Sequence, residues 1–121
     1  MKLKSLFPLP IAILLVGLLF FPNSGAAQTA PRRIEITAKR FDFTPGDITL
    51  KKGEPVVIVL KSMDVAHGLR FRELGVEVKA SKGQTSEASF TPEKTGDFVG
   101  QCSVFCGAGH GGMKLTVHVV E

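Results

Sequence analysis

At 121 residues the chain has material for one domain and not comfortably for two. Its 15 basic side chains exceed 11 acidic ones by a net charge of +4, and Lys2 and Lys4 lie in an apolar leader; without them 13 basic side chains face 11 acidic ones, a charge of +2. So even a mixture of charge gives no reason to invoke a nucleic-acid partner.

The chain opens with Lys2 and Lys4, runs apolar from Leu6 to Phe21 around Pro8 and Pro10, and relaxes into Pro22-Asn23-Ser24 and the small residues Gly25-Ala26-Ala27. That order of charge, grease and small residues predicts a secretory signal over residues 1–27, cleaved after Ala27. The alternative is an uncleaved anchor, against which stand the short unbroken run Ile11–Phe21 and the two prolines before it, since a spanning helix needs about 20 apolar residues. Either way the remainder is expected outside the cytoplasm, in the periplasm or beyond it. Residues 28–33 read as a polar linker and 34–121 as the folded domain.

Beyond the linker the pattern is β throughout. IEITA (34–38) alternates apolar and polar residues, as a half-buried strand does. Phe41-Asp42-Phe43 and Ile48-Thr49-Leu50 alternate on either side of a Pro45-Gly46 turn. PVVIVL (55–60) is a continuous β-branched run, expected to be a central strand buried on both faces. VEVKA (76–80) and SEASF (86–90) flank the turn Ser81-Lys82-Gly83. FVGQC (98–102) follows the turn Thr95-Gly96-Asp97, and KLTVHVV (114–120) closes the chain. Seven or eight short strands without a convincing helix predict an all-β sandwich. In the last strand His118 falls on the face opposite Leu115, Val117 and Val119, which marks it as a surface residue.

One loop carries most of the metal-binding chemistry. CSVFCGAGHGGM (102–113) holds both cysteines, one of three histidines and the last of three methionines. Cys102 and Cys106 are separated by three residues, His110 follows at four and Met113 at three more. Thiolate and thioether are soft donors and imidazole is borderline, so the set selects copper over magnesium, calcium or manganese. His67, in KSMDVAHGLRF just past the buried run, is the best further donor, with Asp64 and Ser62 as candidates to orient it. Met63 reads as a packing residue.

Plainer readings of these residues stay open. Two cysteines in an exported protein form a disulfide by default. A Cys2His2 zinc site would leave Met113 unused. A mononuclear copper site would leave one cysteine unused. A thiol–disulfide oxidoreductase usually carries C-x2-C at a helix start, which neither the spacing nor the β pattern matches.

The spacing C-x3-C-G-x2-H-x2-M, preceded by a histidine in Asp64-Val65-Ala66-His67-Gly68, resembles the dinuclear CuA centre of cytochrome c oxidase subunit II. FVGQCSVFCGAGHGGM (98–113) resembles that family's ligand loop, and FDFTPGDITLKKGEPVVIVLKSMDVAHGL (41–69) its cupredoxin strands. The resemblance implies a cupredoxin-like Greek-key β-sandwich. It implies that Cys102 and Cys106 bridge two copper ions, that His67 and His110 are terminal ligands, and that Met113 and the Val104 backbone carbonyl are weak ligands. Valine stands at 104 where the family usually has glutamate. The family also presents aromatic side chains near its copper; this chain has no Trp or Tyr, leaving Phe98 or Phe105 as substitutes. The implied function is electron transfer, from a carrier such as a c-type cytochrome towards a membrane terminal oxidase, either as a free-standing protein or as a single-anchor subunit. A copper chaperone or store is the functional alternative.

Overall fold

The computed structural model describes residues 30–121, together with Pro8 and Gly17. The segment expected to be a signal or anchor otherwise lies outside the described residues. Among the described residues there are nine strands: β1 (Arg32–Lys39), β2 (Asp42–Thr44), β3 (Asp47–Lys51), β4 (Val56–Ser62), β5 (His67–Phe71), β6 (Val76–Ala80), β7 (Thr85–Phe90), β8 (Gly96–Gln101) and β9 (Lys114–Val120). A single 3-10 turn, His110–Gly112, interrupts the connection between β8 and β9.

The strands form two sheets, ordered β2-β1-β4-β7 and β3-β9-β8-β5-β6. The chain crosses repeatedly from one sheet to the other, so sequence neighbours often face each other across the core instead of pairing. This is why two neighbouring pairs, β1 with β4 and β3 with β9, run parallel, because a crossing returns the chain in its original direction. The remaining ladders are antiparallel. The result is the expected sandwich, with Ile36, Leu50, Ile58, Leu60, Leu69, Phe71, Leu115 and Val117 buried between its sheets.

Alternation sets the facing of most strands. In β1, Ile34, Ile36 and Ala38 turn inward; in β9, Leu115, Val117 and Val119 do. The apolar run of β4 is buried from Val56 through Leu60. It lies between β1 and β7. Arg33 on β1 and Glu87 on β7 form an ion pair across it, on the face that carries Val57 and Val59.

β5 differs from the sequence expectation. Residues 67–71, to which the strand pattern assigns no element, form a strand between β8 and β6. His67 therefore opens β5 and does not trail β4. The first strand also begins earlier than its alternation suggests, at Arg32.

Candidate metal centre

The glycine-laced loop is the connection of an antiparallel pair. Gln101 on β8 faces Lys114 on β9, and the Cys102 N–H donates to the Met113 carbonyl at 3.1 Å, closing the neck. Inside it, N–H groups of His110, Gly112 and Met113 donate to carbonyls of Gly107, Gly109 and His110 at 3.1 to 3.3 Å. The tight turn they make aims His110 and Met113 at the cysteines.

The fifth side chain arrives from the other hairpin. After β4 the Ser62 hydroxyl donates to the Val65 carbonyl, and Asp64 Oδ1 accepts the Val65 N–H at 2.7 Å. This turn presents His67, 0% exposed, to the loop. His67 Nε2 lies 2.6 Å from Asp64 Oδ1. Burial works to raise the Asp64 carboxyl, but the Arg40 N–H, the His67 ring and the Val65 N–H outweigh it and hold it down at about 2. An ionised carboxylate accepts and cannot donate, so the imidazole proton sits on Nε2 and the Nδ1 lone pair faces the loop.

All six residues singled out in the sequence meet here. The Cys102 and Cys106 sulfurs are 3.8 Å apart and unbonded. Cys102 Sγ lies 3.9 Å from His67 Nδ1 and 3.2 Å from the Val104 carbonyl oxygen. Cys106 Sγ lies 3.8 Å from His110 Nδ1 and 3.9 Å from Met113 Sδ. The donor atoms of His67, Cys102 and Cys106 all fall within 4.8 Å of one another, and these three residues are buried. Burial first, and the neighbouring Cys102 next, push the Cys106 thiol up to about 11. A metal bound here must displace the thiol protons, as a soft cation with high affinity for sulfur does. Two sulfurs, two imidazole nitrogens, a thioether and a carbonyl suit copper and offer nothing to a hard cation that wants several carboxylates.

Three neighbouring expectations need revision. Ser62 bonds the Val65 carbonyl, so the orienting role falls to Asp64. Met63, expected to pack, is 57% exposed. Phe98 is buried in β8, whereas Phe105 is 78% exposed and its ring stands 5.6 Å from that of His110. The sequence reading also missed two residues between β1 and β2. Arg40 Nε donates to the Cys106 carbonyl at 2.9 Å. The Phe41 ring lies under the loop, where a Cβ on Gly109 would come within 2.5 Å of it. Phe41 is thus the reason for glycine at 109, a signal carried by no local motif.

Comparison with known proteins gives a consistent picture. A family model described as a cupredoxin-like domain matches residues 11–117. Cytochrome c oxidase subunit 2 of Thermus thermophilus is 28% identical over 102 residues, covering 83% of this chain and 76% of that sequence. For a second subunit 2 sequence of that species, also 28% identical, the chain spans 61% of its length. Among solved structures, a chain of a heme-copper terminal oxidase dimer superposes with a TM-score of 0.67 at 27% identity, covering 78% of this chain and 68% of that one. The periplasmic domain of subunit II of the Bradyrhizobium japonicum cytochrome oxidase superposes with a TM-score of 0.69 at 24% identity, covering 77% and 86%, which speaks to fold.

Proposed function

This chain belongs to the cupredoxin-like domain family, and on that premise we propose that it is an exported electron-transfer protein carrying a dinuclear copper centre. One observation carries the reading. Both sulfurs, both imidazole Nδ1 atoms and the Met113 thioether crowd together at neighbour distances of 3.8 to 3.9 Å behind a closed loop neck. Cys102, Cys106, His67 and His110 would hold the copper, with Met113 and the Val104 carbonyl as weaker donors beside them. Such a centre, when bound, supplies one-electron exchange with the charge shared over two ions.

The chain's own residues do the rest. Asp64 fixes the His67 tautomer and ring plane. The buried cysteines exclude water. The β8–β9 ladder and the turn bonds keep the donors where they are, so little has to move when an electron arrives. Phe105, exposed beside the His110 ring, offers a partner an aromatic contact next to a ligand. The partners proposed are a periplasmic carrier such as a c-type cytochrome and, downstream, a membrane terminal oxidase. In this reading the expected copper domain, 34–121, extends back to Arg32, where β1 begins, which shortens the expected linker of 28–33, and 1–27 is the export signal.

Electron paramagnetic resonance of the copper-loaded chain tests it. Hyperfine structure from one electron shared by two copper nuclei is expected. A spectrum from one nucleus would replace the reading with a mononuclear cupredoxin or a copper carrier.

A further inference from the structure

The turn between β1 and β2 reaches both halves of the centre. Arg40 donates its backbone N–H to Asp64 Oδ2 at 2.8 Å and its Nε–H to the Cys106 carbonyl at 2.9 Å. Asp64 in turn meets His67. One residue therefore holds the histidine's carboxylate partner through its main chain and the cysteine loop through its side chain.

The position of that second bond matters. The loop's neck is tied by Cys102 and Met113, and its start is tied to β5 by the Ser103 N–H donating to the Gly68 carbonyl at 3.2 Å. The bonds of His110, Gly112 and Met113 run within the loop itself. Arg40 grips its middle, at the carbonyl of a cysteine, from a turn 66 positions away in the chain. Phe41 packs beside it against Gly107 and Gly109, so the same turn supplies both the bond and the floor. The bond also brings a positive charge to the Cys106 residue, near enough to favour the ionised form of its thiol.

We propose that Arg40 is a positioning residue for the metal centre: its guanidinium registers the Cys106 half of the donor set against the His67 half and biases the centre towards its reduced form. The inference rests on the copper reading for its effect on reduction, while the anchoring is a property of the metal-free protein. Any substitution short of proline keeps the main-chain bond to Asp64, so a variant at this position isolates the side chain.

The test compares the wild-type chain with Arg40→Met and Arg40→Lys. In the metal-free protein, hydrogen exchange of residues 103–112 should quicken in Arg40→Met by about 10- to 100-fold, the loss expected for a bond from a charged donor. Amides of β4 and β9 should keep their protection. In the copper-loaded protein Arg40→Met should have a lower reduction potential, and Arg40→Lys, which keeps the charge, should restore most of it. Wild-type exchange in the loop, or an unchanged potential, would overturn the proposal. If Arg40→Met does not fold, faster loop exchange in Arg40→Lys, which lacks the planar fork, supports the role and wild-type exchange removes it. A wild-type chain that never takes up two coppers defeats the copper reading alone, because the metal-free exchange result still stands.

Discussion

Asp64 shows how much of a site's behaviour rests on a residue that donates nothing to a metal. It accepts N–H groups from Arg40 and Val65 and orients the buried His67. Replacing it with alanine removes the acceptor that keeps the proton on Nε2, and the ring is then free to present the wrong nitrogen. Loss of such a partner typically costs about 10- to 100-fold in metal affinity. Asp64→Ala should therefore surrender copper to a competing chelator at 10- to 100-fold lower chelator activity, by the same principle. The proposed side-chain donors were legible in the sequence because four of the five lie within twelve consecutive residues, with softness and spacing to mark them, whereas the Val104 carbonyl was implied only by the family resemblance. Asp64 was legible as a neighbour of His67. Arg40 was not, because its partner is the main-chain carbonyl of Cys106, and a carbonyl leaves no trace in residue type.

At the scale of elements, strands that alternate or run apolar were readable, because burial on one face or on two writes a period into the sequence. β5 was not. His-Gly-Leu-Arg-Phe buries four of its five residues, two of them a histidine and a glycine that look like loop. The histidine faces Cys102 through its Nδ1 and, in the copper reading, serves the centre. The glycine is there because a Cβ at 68 would collide with the Ser103 hydroxyl, and chemistry overrode pattern at both positions. His118, expected only to face solvent, does more than that. Its ring links three strands, with Nδ1 2.6 Å from Asp97 on β8 and Nε2 3.0 Å from Asp47 on β3. The Asp97 bond first and the Asp47 bond second raise its pKa above the ordinary imidazole value. A group whose folded pKa is raised adds stability that is full below the unfolded value, about 6.5, and fades as pH rises through the folded one. His118→Gln should thus be less stable than wild type in urea titrations in mildly acidic buffer. The gap should close in alkaline buffer; a gap that stayed constant or widened with pH would remove the charged link.

For the whole molecule, the sandwich was readable from strand number and turn spacing, whereas the order of strands was not. Which sheet each strand joins depends on crossings that leave no local mark, such as the parallel pairing of β1 with β4 and of β3 with β9. A domain of this size has a modest core, so a ligand bound only by the folded form counts heavily. At free copper about 100 times its dissociation constant, binding adds about 2.7 kcal/mol. For a domain of this size that corresponds to a melting temperature higher by on the order of 10 to 20 °C. Calorimetry with and without a copper chelator checks this, and coincident melting curves would mean that the metal does not bind the native fold.

The division of donors between two hairpins also sets an order in time. Cys102, Cys106, His110 and Met113 come together by closing one short loop, whereas His67 joins them only when β5 docks beside β8. Short closures are fast and distant pairings slow. Copper offered to a chain that is still folding would thus meet an open four-donor cradle first and be enclosed afterwards, so the moment of loading is written into the topology.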